Sequence, residues 1–254
     1  MFSSLPSPVV IAHRGASVHA PENTLAAFNL AVSQGAPVIE LDVQLSADGE
    51  VVVFHDCSVS RTTDGSGRIR QLTLKELKSL RFGAAFGTSY PNAKIPTLNE
   101  IFANLNPDTF LNIELKNLNS PLDSLPSKVA KIVQASHGNN RVLISSFNPI
   151  ALRRIVQYLP TVPRGLLLRK PGHVDLCIFF SGLISGYQSI NISFSSVTES
   201  RVNALHALGK KVFTFTLTHP EDISHALDCG VDGFFTGDPA LGLRILSESG
   251  YNSN

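Results

Sequence analysis

The chain has 254 residues, of which 16% are charged and 43% hydrophobic, and its formal net charge is +1. That length suits one α/β barrel, and so small a charge gives no basic field for nucleic acid, so any phosphate must be met locally. Cys57, Cys177 and Cys229 are scattered and form no CxxC, and no run is apolar enough for a signal sequence or a membrane span, so a cytoplasmic protein with reduced thiols is expected and a homodimer is left open.

In chain order, short apolar runs alternate with turn signals and helical patterns. Val9 to Ala12 reads as a buried strand, followed by His13-Arg14-Gly15 and a helix from about Asn23 that buries Leu25, Phe28, Leu30 and Val32. Val38 to Asp42 is a second strand that runs on into a hairpin. Asp48-Gly49 between two apolar runs predicts a two-residue type I′ turn, which pairs Ala47 with Glu50, Val43 with Phe54 and Asp42 with His55. Cys57 to Pro96 is a long excursion of low periodicity, expected to form a small inserted subdomain with a short helix from Thr73. Thr73 with Glu76, and Thr97 with Glu100 at the next barrel helix, have capping-box spacing.

Six further strands are predicted at Phe110 to Leu115, Val142 to Ser146, Gly165 to Leu168, Ser189 to Ile192, Val212 to Leu217 and Gly233 to Thr236. Asn148-Pro149 opens a helix, and others start near Thr198, Pro220 and Pro239. If the hairpin's return arm is a decoration, the count is eight parallel strands, hence one (β/α)8 barrel domain.

Active groups of such a barrel sit at the C-terminal ends of its strands. Strand one ends in His13 and Arg14, strand two in Glu40 and Asp42 with His55 folded back beside them, and the third barrel strand in Glu114 and Lys116. Three carboxylates without cysteine make a hard site that favours Mg²⁺ or Ca²⁺, with Mn²⁺ also suited, over zinc. A divalent ion with Arg14 and Lys116 would clamp a phosphate oxyanion, while two histidines supply a base and an acid. The set asks for phosphodiester cleavage, with carbonyl chemistry on a divalent ion as the rival.

His13-Arg14-Gly15-Ala16, Pro21-Glu22-Asn23-Thr24, Glu40-Leu41-Asp42-Val43, Asp48-Gly49 with Phe54-His55-Asp56, Ile95-Pro96-Thr97-Leu98 and Glu114-Leu115-Lys116 together resemble the glycerophosphodiester phosphodiesterase family. The likeness continues more loosely through Ser145-Ser146-Phe147 to Gly230-Val231-Asp232-Gly233. It implies a (β/α)8 barrel that hydrolyses glycerophosphodiesters to sn-glycerol 3-phosphate and an alcohol. It also implies a divalent metal on Glu40, Asp42 and Glu114, acid and base roles for His13 and His55, and phosphate contacts from Arg14 and Lys116. Where the family often carries Trp-Thr-Val-Asn, this chain reads Phe215-Thr216-Leu217-Thr218, which puts that substrate wall in question. His219 is a candidate for the rim or for a helix cap, and His137, His173, His206 and His225 are expected on the surface.

Some of Phe82, Phe86 and Tyr90 are expected to pack on the barrel rim and wall the alcohol side, against the alternative of a purely structural cluster. A carboxylate neighbour favours the imidazolium, which makes His55 the expected acid and His13 the base. The alternatives are a sphingomyelinase D-like transfer that gives a cyclic phosphate, and a barrel that binds glycerophosphodiesters without cleaving them.

Overall fold

The computed structural model describes residues 5–82 and 89–251. Its first half contains β1 (Val9–Ala12), α1 (Leu25–Ser33), β2 (Val38–Leu45), β3 (Val51–Val53), α2 (Leu74–Ser79), α3 (Leu98–Asn104), β4 (Phe110–Leu115) and α4 (Leu125–Ala135). The second half alternates β5 (Val142–Ser146), α5 (Pro149–Ile155), β6 (Arg164–Leu168), α6 (Pro171–Phe179), β7 (Ser189–Ser193), α7 (Glu199–Ala207), β8 (Lys211–Phe215), α8 (Pro220–Asp228), β9 (Gly233–Thr236) and α9 (Pro239–Glu248). Eight strands pair in parallel in the order β1-β9-β8-β7-β6-β5-β4-β2, and pairing of β1 with β2 closes the barrel. β3 lies antiparallel on β2, outside that circuit, so the architecture is the expected eight-stranded parallel barrel.

Alternation along the strands makes two cores. Val10, Ile39, Leu41, Ile113 and Ile144 face the helices, while Val9, Ile11, Val38, Leu143, Phe213 and Phe235 cluster separately and fill the interior. Inward positions turn polar toward the C-terminal ends, with Glu40, Asp42, Asn112, Glu114, Ser145 and Asn191 all buried. Both capping boxes form, and the Asn148 side chain caps α5 at Pro149. Residues around 57–96 build a satellite core of Val52, Phe54, Val59, Ile69, Leu77, Phe82 and Ile95 against the return arm.

The hairpin differs from the two-residue turn expected. β2 and β3 pair Val43 with Val53, Gln44 with Val52 and Leu45 with Val51, a register one residue shorter on the return arm. The loop holds three residues, Ala47-Asp48-Gly49, closed by Ser46 N–H donating to Glu50 O at 3.0 Å; Gly49 takes φ of 81°, and Asp48 has no positive φ. Asp48 has other partners, because its carboxylate accepts from Ser46 Oγ at 2.6 Å and from Leu74 N–H at the start of α2. A type I turn followed by a left-handed glycine meets those demands. Phe54, rather than His55, therefore stands opposite Asp42, with its N–H donating to Asp42 O at 2.9 Å.

The buried side of α1 is also rotated from expectation: Ala27, Phe28 and Ala31 are buried, while Leu25, Leu30 and Val32 pack at its edges. β8 ends at Phe215, two residues before the expected Leu217.

Candidate active site

β1 delivers His13 into a loop shaped by left-handed residues. Arg14, Gly15 and Asn23 have φ of 58°, 82° and 57°. A Cβ on Gly15 would lie 2.6 Å from the Ala27 carbonyl carbon, so only glycine lets the loop pack this closely on α1. The fold turns Arg14 back over β2, where its N–H donates to Glu40 Oε2 at 2.8 Å and its Nε lies 3.4 Å from Asp42 Oδ2. Asn23 grips Asp42 twice, donating from Nδ2 to Oδ2 at 2.8 Å and accepting the Asp42 N–H at 3.2 Å.

Parallel register sets Asp42 beside Glu114 and Glu40 beside Asn112. Oxygens of Glu40, Asp42 and Glu114 all lie within 4.8 Å of one another, close enough to share one metal ion. Glu40 Oε1 and Asp42 Oδ1 are buried without a hydrogen-bond donor, so these oxygens suit a cation. Lys116 stands over the cluster, with Nζ 2.8 Å from Glu114 Oε1 and 3.6 Å from Asp42 Oδ1.

The electrostatics follow from crowding buried like charges. Burial, then the charges of Asp42 and Glu114, push Glu40 well above the usual carboxylate range. Burial, opposed by Lys116 and reinforced by Asp42, pushes Glu114 up to about 7. At Asp42 burial is outweighed by Lys116, Arg14, His55 and the Asn23 amide, which hold it at about 2. Burial and Arg14 lower His13 to about 3, against the opposing pull of Asp42.

His55 reaches this cluster although the register differs. Gln44, inward-facing and buried, donates from Nε2 to Phe54 O and Asp56 O, each at 2.8 Å, and so fixes the backbone on both sides of His55. His55 Nδ1 lies 2.6 Å from Asp56 Oδ1, and Asp56 Oδ2 in turn accepts from Arg61 Nε. Arg61 also donates to both oxygens of Glu22, which accepts from Arg14 Nη1 at 2.9 Å. A chain of contacts thus ties the His55 arm to the loop bearing Arg14. Burial, helped by Lys116 and Arg14, holds His55 below the usual imidazole range against the upward pull of Asp42 and the Asp56 contact. Gln44, Asn23, Asp56, Arg61 and Glu22 had no signal in the spacing of the chemistry-bearing residues, although Glu22, Asn23 and Asp56 fell within matched motifs.

Around the mouth, rings stand edge-to-face: His13 on Phe235 at 6.4 Å, Phe235 on Phe215 at 6.3 Å, and Phe215 on Phe147 at 5.8 Å. Phe215 therefore supplies aromatic surface at the strand whose departure from the family pattern left that wall in question. Phe82 does not wall the cleft. It is buried in the satellite core, 5.6 Å from the Phe54 ring, because the short segment needs it for its own packing. Tyr90 points elsewhere, donating from its hydroxyl to His19 O at 2.9 Å, and Phe86 lies outside the described residues. His219 occupies the N-cap position of α8 without a capping side-chain bond, and His137, His173, His206 and His225 are exposed, with His206 bound to Asp232.

A cleft of about 970 Å³ opens beside this cluster, with His55, Glu114, Lys116 and Phe147 in its wall. No helix among the described residues is long and apolar enough to cross a membrane.

Residues 13–241 match the model of the glycerophosphoryl diester phosphodiesterase family. The chain is 37% identical over 247 residues, 95% of its own length and 99% of the relative's, to a glycerophosphodiester phosphodiesterase of Caldanaerobacter subterraneus subsp. tengcongensis. Among solved structures it resembles an Oleispira antarctica phosphodiesterase in complex with the product sn-glycerol-3-phosphate, with TM-score 0.87, 33% identity and coverage of 95% and 97% of the two chains. It also resembles a glycerophosphodiester phosphodiesterase of Agrobacterium tumefaciens, with TM-score 0.78, 27% identity and coverage of 92% and 98%. This chain belongs to the glycerophosphoryl diester phosphodiesterase family.

Proposed function

We propose that the protein hydrolyses glycerophosphodiesters to sn-glycerol 3-phosphate and an alcohol, using a divalent cation and two histidines. The observation that carries this reading is the convergence of Glu40, Asp42 and Glu114 in one buried cluster beneath His13 and His55. The product named in the Oleispira antarctica complex supports which alcohol of the diester is kept on phosphorus. We read residues 57–96 as a subdomain inserted in a single barrel domain, supported by their separate core. Three unpaired cysteines support a cytoplasmic location.

Glu40, Asp42 and Glu114 would hold Mg²⁺ or Ca²⁺, hard cations that prefer oxygen donors. Such an ion supplies positive charge to phosphoryl oxygens as negative charge builds on them. Arg14 and Lys116 bind the phosphate anion from either side of the carboxylates. His13, kept neutral by burial and Arg14, accepts the proton of the attacking water. His55 gives a proton to the leaving alcohol oxygen, and Asp56 orients it through Nδ1, leaving Nε2 for the substrate.

Glycerophosphoethanolamine, cation-loaded enzyme and an enantiospecific assay for sn-glycerol 3-phosphate test this directly. Equal amounts of sn-glycerol 3-phosphate and ethanolamine are expected. Release of glycerol and phosphoethanolamine instead would mean the other ester bond is cut and would overturn the reading.

A further inference from the structure

The cleft beside the site is larger and more apolar than a small polar alcohol requires. Its volume of about 970 Å³ lies at the upper end of the ~300–1,000 Å³ range of pockets that enclose drug-sized ligands. From His55, Glu114 and Lys116 it runs past the end of β6 into the gap between that strand and the helices that follow. Leu166, Leu167 and Leu168 of β6, Leu176 and Cys177 of α6, and Leu183 and Tyr187 beyond it all line this gap. Leu166 and Leu168 belong to the outer core of the barrel, so the cleft reaches the helix-facing side of β6, while Leu167 on the other face keeps it continuous with the barrel mouth.

Apolar side chains are left in solvent where this channel opens. Leu118, Leu176 and Leu183 line it and are 60%, 50% and 59% exposed, and Phe179 and Phe180 stand next to them, also exposed. Exposed apolar side chains gathered along a cleft mark a ligand or partner site. Its continuity with His55 and Lys116 favours the substrate itself as the occupant.

The charges in the lining disfavour a cationic alcohol relative to an uncharged one. Glu114 is the only carboxylate among the described lining residues, whereas Arg68, Arg70, Lys116, Arg169 and Lys170 are all present. The Phe147 ring, the one aromatic face beside the phosphate-binding Lys116, already carries Arg169 at 5.1 Å and Lys116 at 5.9 Å from its centroid. Among the described lining residues an ammonium group would find no carboxylate but Glu114, a cation ligand in this reading, and the Phe147 face is already occupied.

We propose that this protein prefers glycerophosphodiesters whose alcohol is a long, uncharged apolar chain, seated in the gap between β6 and α6. This rests on the hydrolase reading above and on His55 as the group beside the leaving oxygen, because His55 lines the channel. The chain would leave as the free long-chain alcohol, its oxygen protonated, while water supplies the new oxygen on phosphorus.

The test uses the cation-loaded enzyme and sn-glycero-3-phospho-n-alkanols with methyl, butyl, octyl and dodecyl groups, kept below micellar concentration. kcat/KM should rise with chain length, by at most about fourfold per methylene, the equivalent of ~0.8 kcal/mol for a buried CH₂. The 3,3-dimethylbutyl ester, the uncharged counterpart of the choline ester, should outperform the choline ester. Leu176→Asp and Leu183→Asp, both at exposed positions that tolerate charge in the fold, should collapse the octyl-to-methyl ratio.

Turnover of the methyl ester at least as fast as the octyl ester would overturn the inference and leave the hydrolase reading standing. A wild-type length dependence in both Asp variants would overturn it too, as would a gain produced only by a chain esterified to the glycerol. If no ester of any length is cleaved, the hydrolase reading itself fails.

Discussion

Exhaustive chelation will abolish turnover, and Mg²⁺ or Ca²⁺ will restore it. Glu40, Asp42 and Glu114 crowd three carboxyl groups into a buried site where, among the described residues, Arg14 and Lys116 supply the two opposing charges within salt-bridge reach of Asp42. Two of the three carboxyls respond by holding their protons more tightly, as burial and like charge require. A divalent ion relieves both penalties. Glu114→Gln removes an anionic ligand and should weaken cation binding by at least about 100-fold, since even groups that only support a ligand are worth about 10–100-fold.

Acid should weaken binding as well. Glu114 is raised to about 7, so below that pH it carries a proton that the cation must displace, and above it the carboxylate is already free. Calorimetry at pH 6 and pH 8, in buffers of different ionisation enthalpy, should show weaker binding and greater proton release at pH 6. Full activity after chelation, or Glu114→Gln binding cations like the wild type, would contradict this assignment.

Replacing His55 by alanine should lower the rate of glycerophosphoethanolamine cleavage by about 10² to 10⁴, the usual loss when a general acid or base is removed. The two histidines have unlike surroundings. His13 is lowered to about 3 by burial and Arg14, which suits a base; His55 is also held below the usual imidazole range by burial, but its Nδ1 contact with Asp56 pulls toward the imidazolium, a support His13 lacks. A nitrophenyl leaving group needs little protonation, so most of the loss should disappear with that ester in His55→Ala but persist in His13→Ala. Arg61→Gln should reproduce part of the His55 effect, because Arg61 holds Asp56 to Glu22. Rescue of His13→Ala alone would reverse the two roles, and rescue of neither variant would leave the division of labour without support.

The barrel was legible because its strands are buried on both faces and read as short, nearly continuous apolar runs such as VVIA and FLNIEL. The seven polar residues expected at the rim were legible for a related reason. All but His55 lie at or near the C-terminal ends of three adjacent barrel strands, and parallel register brings Asp42 and Glu114 together whatever happens in the loops. The hairpin register was not legible, since Asp-Gly suits either turn and the choice depended on Asp48 meeting Leu74, 26 residues away. His55 still arrives at the site because Gln44 grips the backbone beside it, a long-range contact with no periodic signal. The same holds for Arg61 and Glu22. Phe82 and Leu183 show the remaining limit: a linear pattern does not separate an aromatic needed by a small satellite core from one facing substrate, nor an exposed leucine from a buried one.

Cleavage of glycerophosphoethanolamine in H₂¹⁸O, followed by ³¹P NMR, tests most directly whether this site is a hydrolase. The account predicts sn-glycerol 3-phosphate carrying one ¹⁸O on phosphorus from the start of the reaction, with His13 activating water as the nucleophile. Accumulation of a cyclic glycerophosphate, or first product without solvent oxygen, would mean that a substrate hydroxyl attacks and would contradict it.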